Sequence, residues 1–354
     1  MTAICGGKSA ATDNSSAGPS PEVTILRTRN ISFGHNIVAR LASYCSYLVG
    51  TLWLGIRMRR PDCVVTLTTP PVLPVIGAVF CLVRGSRHVI WEMDIYPDIA
   101  TDIGYVRKNG AIEVVVGAII DWSRRHAHAI IVLGDEMRSR LVARGISESK
   151  ILVAESWACG KDILPMAFLD GPLTVHYSGN LGLAHEVATI SAVIERLANH
   201  PRFRFIISGG GPRRPRLESL CQARSIKNVE FRRYCTNAKL GESLADGHLG
   251  LVTQIPETLG SVIPSKIYGI MAAGRPLLYI GPTKSTPASH IRTFKCGWHI
   301  QAGDVEGVIS LLHHLDLNRH LLREAGERGR SAFEQHFDLP IGVARVEDIV
   351  CGRA

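Results

Sequence analysis

Residues 173–186 read LTVHYSGNLGLAHE, and the architecture is decided by what this stretch does. An apolar run from Leu173 to Tyr177 meets Ser178-Gly179-Asn180-Leu181-Gly182, after which Leu183-Ala184-His185-Glu186 opens a helix. A strand that feeds a tight glycine turn and then a helix is the repeating unit of a parallel α/β sheet. Glycines in such a turn let the main chain approach a ligand, and the helix N-terminus offers unpaired N–H groups to an anion. The pattern recurs outward in both directions. Downstream lie FRFIISG (203–209), NVEF (228–231), LGLVT (249–253) and PLLYIG (276–281). Upstream, Cys63–Thr68, His88–Asp94 and Ala129–Gly134 alternate with helix-compatible stretches. Two doubly wound α/β domains facing each other follow, with ligands expected beyond the carboxyl ends of the strands, in the cleft.

The chain of 354 residues suits about two domains of roughly 150 residues each. Residues 1–21, rich in Ala, Ser, Gly and Thr, read as a disordered leader. A first domain is expected over 22–160 and a linker over 161–172, where Pro165, Gly171 and Pro172 break any periodic element. The second domain is expected over 173–337. Asp338-Leu339-Pro340 then interrupts the helical tail, so that a last helix over 338–354 is redirected toward the first domain.

Composition narrows the function classes. With 46% hydrophobic and 20% charged residues, the chain is globular rather than collagen-like, coiled-coil or disordered. A formal charge of +9 favours an anionic partner. The nine cysteines are scattered without a CxxC pair, which fits reduced thiols in a cytoplasmic protein rather than a disulfide framework or a zinc site. Leu41–Ile56 (LASYCSYLVGTLWLGI) is apolar or small throughout and is followed by Arg57, Arg59 and Arg60. Its sixteen residues fall short of the roughly 20 that a spanning helix needs. Two readings stay open: a core helix, or a helix laid on an anionic leaflet with Trp53 at the interface and the three arginines on headgroups.

Three further motifs carry chemistry. Ser208-Gly209-Gly210-Gly211-Pro212-Arg213-Arg214 follows a second apolar strand and sets two guanidinium groups where they can grip phosphate oxygens. Pro264-Ser265-Lys266 opens a short helix that Gly274 closes, with Ser265 and Lys266 at its start. Asp94 ends the strand HVIWEMD, where a carboxylate can orient a hydroxyl or accept its proton. Glu92 and Asp94, two apart on one strand, form at most a weak metal pair, and His126 and His128 beside Arg124 and Arg125 read as a solvated basic helix end.

The ordered set PSKIYGIMAAGRPLLYIG, YSGNLGLAHE, GGGPRR, FGHNIVARLASYCSYLVGTLWLG, TTPPVLPVIGA and WEMDIYPD resembles the retaining family-4 glycosyltransferases of GT-B fold, and more narrowly those of bacterial capsule, O-antigen and exopolysaccharide assembly. The resemblance runs from about residue 30 to the C-terminus. It implies a hexosyl or N-acetylhexosaminyl transferase of two Rossmann-like domains, working peripherally on the inner face of the cell membrane without metal or other cofactor. The substrate would be a nucleotide diphosphate sugar and the acceptor a polyprenyl-linked saccharide, with no nucleic acid partner. By the same resemblance Gly179, Asn180, Gly182 and His185 line the donor with Gly211, Arg213 and Arg214; Ser265 and Lys266 meet its diphosphate, Tyr234 lies by the nucleoside, and Asp94 is catalytic.

Departures from the family pattern are legible too. Asn180 and His185 stand where many members carry Arg and Lys, and Ser261 and Gly269 where many carry paired glutamates. The family's first strand and glycine turn are expected to be missing, leaving a shortened first domain. A catalytically silent GT-B-like partner protein and a GT-B-fold sugar-nucleotide epimerase are therefore the alternative readings.

Overall fold

The computed structural model describes residues 1–6, 23–28 and 37–353. Two short strands, β1 (Thr2–Cys5) and β2 (Thr24–Arg27), pair in parallel. This corrects two expectations. Thr2–Cys5 forms a strand where a leader was expected, and a strand stands ahead of the rest of the first domain where the family's first strand was expected to be missing; most of the expected leader, and Phe33–Asn36 of the FGHN motif, lie outside the described residues.

The first domain continues through α1 (Ile37–Arg57), β3 (Cys63–Leu67), α2 (Leu73–Arg84), β4 (Arg87–Trp91), α3 (Asp98–Asp102), α4 (Ala111–His126), β5 (Ala129–Val132), α5 (Asp135–Ala143) and β6 (Ile151–Val153). Strands β3 to β6 form a parallel sheet in sequential order. Crossover helices cover its faces, so its inner strands are apolar on both sides: all four residues of β5 are buried.

The second domain holds β7 (Leu173–Ser178), α6 (Ala188–Arg196), β8 (Phe203–Ser208), α7 (Arg214–Ala223), β9 (Val229–Arg232), α8 (Leu240–Ala245), β10 (Leu249–Thr253), α9 (Lys266–Ala272), β11 (Leu277–Ile280), α10 (Thr286–Phe294), β12 (Gly297–Ile300), α11 (Val305–Leu317) and α12 (His320–His336). Its six parallel strands run in the order β12-β11-β10-β7-β8-β9. The chain winds outward from β7 in one direction and from β10 in the other, so the crevice between their carboxyl ends is the switch point where such sheets bind ligands. One core, with Val193, Leu217 and Leu312, covers one face of the sheet; another, with Tyr268, Met271 and Phe333, covers the other.

The tail breaks where the sequence indicated. Asp338 caps the last helix, α13 (Leu339–Cys351), by accepting from Leu339 N, and also accepts from Gly160 N at 2.9 Å. Helix α13 then lies on the first domain, where Ile349 packs with Val89, Ala129, Ile131 and Ala154. Arg87 Nη1 holds the Val350 carbonyl at 3.2 Å.

Candidate active site

The glycine turns after β7 and β8 interlock. Leu181 N donates to Gly210 O at 2.7 Å and Arg213 N to Leu181 O at 3.2 Å. A Cβ on Gly209 would stand 2.1 Å from Gly179 O, and one on Gly211 2.5 Å from Leu181 O; both glycines also have positive φ. Only glycine permits main chain this close with φ near +120°. Gly179 (φ +132°) leaves room for a side chain instead, since a Cβ there would meet Lys266 Cε at 2.5 Å. Gly182 is less constrained, its nearest neighbour being Asn180 Nδ2 at 3.4 Å from such a Cβ.

Lys266 therefore crosses from the start of α9 over the β7 turn. Its Nζ lies 3.1 Å from His185 Nε2 and 5.2 Å from the centre of the Tyr177 ring. Burial lowers its pKa to about 8, and no carboxylate among the described residues pairs with it. His185 Nδ1 donates to Thr253 O at 2.8 Å, which leaves Nε2 as the acceptor facing the ammonium. Burial first and the Lys266 cation second hold the imidazole at about 4, so His185 is neutral at pH 7. Thr253 ends β10 and Gly179 follows β7; the lysine thus sits at the switch point of the sheet.

The expected helix opening at Leu183–Glu186 is instead a turn. Helix α6 starts at Ala188, and Glu186 turns back to accept from Thr189 N at 3.0 Å. The two guanidinium groups also differ from the expectation of a joint phosphate grip. Arg214 is spent inside the domain, on Glu218 at 2.7 Å and on the carbonyls of Gly209 and Arg232. It braces the second glycine turn. Arg213 donates through Nε and Nη2 to Leu183 O, at 3.2 and 2.8 Å, and so ties the two turns together with Nη1 left over. Tyr234 lies over Gly210 with 61% of its surface exposed. Ser265 is exposed and its hydroxyl makes no capping bond to α9. Ser261 is buried, with its hydroxyl on Thr258 O.

Asp94 is brought to this site by a main-chain bridge between domains: it pairs antiparallel with Val262, and Ile95 N donates to Ser261 O at 2.8 Å. Val262 is only four residues before Lys266. Burial, with Glu92 adding repulsion, raises the Asp94 carboxyl to about 6. Thr68 Oγ1 accepts from Met93 N and Asp94 N at 3.1 and 3.3 Å, a placement that the TTPP motif did not disclose beforehand.

The Glu92–Asp94 metal pair is overturned. Glu92 is fully buried and bonded to Arg124 Nε at 2.7 Å, so its charge is matched by a guanidinium rather than shared with Asp94 over a metal. Arg124, expected on a solvated helix end, is itself fully buried and also holds Asp121 at 2.8 Å and the Tyr96 carbonyl at 3.1 Å. It positions the segment that carries Asp94. Among the described residues no group of three or more His, Cys, Asp or Glu is placed to hold a metal ion.

Sequence reading also missed the polar contacts that join the domains beside this site. Glu136, at the start of α5, accepts from Thr286 N and Oγ1 at 2.7 and 2.8 Å. Glu155 accepts from Tyr268 Oη at 2.8 Å and His290 Nε2 at 2.7 Å. Tyr268 lies within the PSKIYG motif, the one available hint; the others are single polar residues with no spacing to mark them.

On α1, Trp53 is 56% exposed and the Arg57 guanidinium lies 4.1 Å from its ring centre; Arg59 and Arg60 are exposed at the helix end. Among the described residues no helix is long and apolar enough to cross a membrane.

No protein-family model matches the chain. Its sequence is 23% identical over 299 residues to WbjE of Pseudomonas aeruginosa, assigned as a glycosyltransferase, covering 79% of this chain and 72% of that one. It is 22% identical over 225 residues to WcaI of Escherichia coli, assigned as a colanic acid biosynthesis glycosyl transferase, covering 57% and 55%. Its fold superposes on sucrose-phosphate synthase of Thermosynechococcus elongatus with a TM-score of 0.76 at 13% identity, covering 95% and 85% of the two chains. It superposes on Anabaena HepE in complex with UDP-glucose at 0.69 and 13%, covering 92% and 85%. WaaG, involved in lipopolysaccharide biosynthesis, gives 0.69 and 14%, covering 95% and 89%. Two facing Rossmann-like domains give this chain the GT-B fold, and over most of its length its sequence is similar to that of a glycosyltransferase.

Proposed function

We propose that the protein transfers a hexosyl or N-acetylhexosaminyl group from a nucleotide diphosphate sugar to a lipid-linked saccharide in bacterial surface-polysaccharide synthesis. Transfer proceeds with retention of configuration at the inner face of the cell membrane. The observation that carries this reading is Lys266: a half-buried, desolvated ammonium with a neutral imidazole beside it and, among the described residues, no carboxylate on it, at the switch point of the second domain's sheet. A buried cation left without a counter-ion is costly, and a diphosphate supplies two anionic groups at that point.

In this reading the bond from the anomeric carbon to the β-phosphate oxygen breaks as charge builds on the diphosphate. Lys266 stabilises that charge with Arg213, Ser265 and the amides of Asn180 and Gly211, a role that a metal ion fills in other enzymes. His185 keeps the ammonium aimed. The acceptor oxygen bonds the same carbon on the same face, and its proton passes to Asp94, whose raised pKa suits a base working near neutrality. Tyr234 offers its exposed ring to the nucleoside.

Titration with UDP and GDP tests the assignment. Lys266→Ala should weaken diphosphate binding by about ten- to a hundredfold, the worth of one charge-assisted contact. Unchanged affinity for both nucleotides would remove the site. Wild-type binding of nucleotide sugars without turnover on membrane extract would leave a silent partner protein, and interconversion of the free sugar nucleotide an epimerase.

A further inference from the structure

Helices α1, α2 and α4 stand side by side on the first domain, with α2 packed against both neighbours. Their outward faces are apolar, which reverses the normal pattern of a water-facing helix. On α4, Ile112, Val115 and Ile119 repeat at helical spacing and are 68%, 56% and 46% exposed. Val83 on α2 is 79% exposed, beside Leu82. On α1, Val49, Leu52, Trp53 and Ile56 continue the surface. A contiguous apolar patch of this kind on one side of a protein marks a docking surface rather than ordinary scatter.

The charges around it are predominantly of one sign, five exposed cations against the exposed Asp62 that follows Arg60. Helices α1 and α2 contain no acidic residue at all. On α4 the two acids are withdrawn from the patch: Asp121 is buried under Arg124 and Arg144, and Glu113 accepts from Asn109 N. Exposed Arg57, Arg59 and Arg60 border one end, and exposed Arg107 and Lys108 lead into the other helix, next to Tyr105. Apolar side chains within a cationic border match a bilayer with anionic headgroups. Tyr96, two residues after Asp94, lies close enough to Tyr44 on α1 that its hydroxyl is pushed up to about 12 by burial, Asp94 and Tyr44 in that order.

We propose that α1, α2 and α4 form one docking face for an anionic phospholipid bilayer, with Ile112, Val115 and Ile119 of α4 entering the acyl boundary and the five cations on headgroups. This rests on the peripheral-membrane reading and extends it from α1 alone to a three-helix face.

The test is co-sedimentation of the full chain with vesicles of equal parts phosphatidylcholine and phosphatidylglycerol, with UDP titration run beside it. The triple substitution Ile112→Ser, Val115→Ser and Ile119→Ser should lower partitioning roughly tenfold or more, since each side chain gives up apolar burial, while UDP affinity stays at the wild-type value. Pure phosphatidylcholine vesicles should hold the wild type less well. If the triple variant partitions like wild type while reversal of Arg57, Arg59 and Arg60 to Glu releases the protein, α4 has no part in docking and the three-helix face is wrong. If the wild type leaves the vesicles altogether yet still binds UDP, the membrane reading itself fails. Concentration-dependent dimerisation in sedimentation velocity that the triple variant abolishes would assign the face to a second copy instead.

Discussion

Lys266 and Asp94 share one feature: burial moves each toward its neutral form, the ammonium down to about 8 and the carboxyl up to about 6. Protonation of Asp94 removes a base, so kcat/KM should fall as pH drops below about 6; deprotonation of Lys266 removes the phosphate ligand, so it should fall again above about 8. A pH profile without either limb would contradict these assignments. Asp94→Asn should cost about two to four orders of magnitude in kcat with nucleotide affinity unchanged. Loss of nucleotide binding in that variant would place Asp94 in the donor site. Arg124 acts one step further back. It is the buried partner of Glu92 and Asp121, so Arg124→Met leaves a carboxylate uncompensated and should cost about 3 to 5 kcal/mol in chemical denaturation.

The glycine turns after β7 and β8 behave as one element, because each supplies the other's hydrogen-bond partners. Gly211→Ala would drive a Cβ to 2.5 Å from the Leu181 carbonyl at a φ of +121°, and neither atom is a flexible side-chain end that can swing away. It should cost about 1 to 3 kcal/mol of stability and weaken nucleotide binding with it; calorimetry and titration on the same sample separate this from a pure ligand effect. Arg214 belongs to the same element. Its bonds to Glu218 and to two carbonyls explain why adjacent arginines in GGGPRR have different work: one braces the turn, the other reaches across to the neighbouring turn.

At the scale of the molecule, contacts among the described residues that join the two domains include the Asp94–Val262 bridge, Ile263 buried in the first-domain core, Glu136 on Thr286, Glu155 on His290 and Tyr268, and α13 on the first sheet. The Asp94 bridge lies at the site and the Glu136 and Glu155 contacts beside it, so domain geometry and site geometry are set together. Helix α13 is the long-range strap, with Ile349 only 5% exposed among first-domain strands. Ile349→Ala should cost about 2 to 5 kcal/mol, and the early unfolding of the first domain should become visible as a separate phase in hydrogen exchange. A single unchanged transition would mean that α13 does not hold that domain.

The residues of 173–186 and the apolar runs around them determined the fold class alone, because fully buried parallel strands must be continuous apolar runs and turns of this kind demand glycine. Strands β6 and β12 were not legible: three residues (ILV) and four (GWHI) are too short to carry a period. The sequence also singled out Lys266 and Asp94 by their places at a helix start and after a strand, and His185 by the family resemblance. What only the tertiary structure decided is which cations are left to act. Arg124 and Arg214 look like free surface charge in one dimension, but become structural once Glu92, Glu218 and distant carbonyls are folded against them. Lys266 and Asp94, by contrast, are half-buried and have no ion-pair partner among the described residues. Ion pairing depends on neighbours tens of residues away in the chain, and no local pattern encodes it.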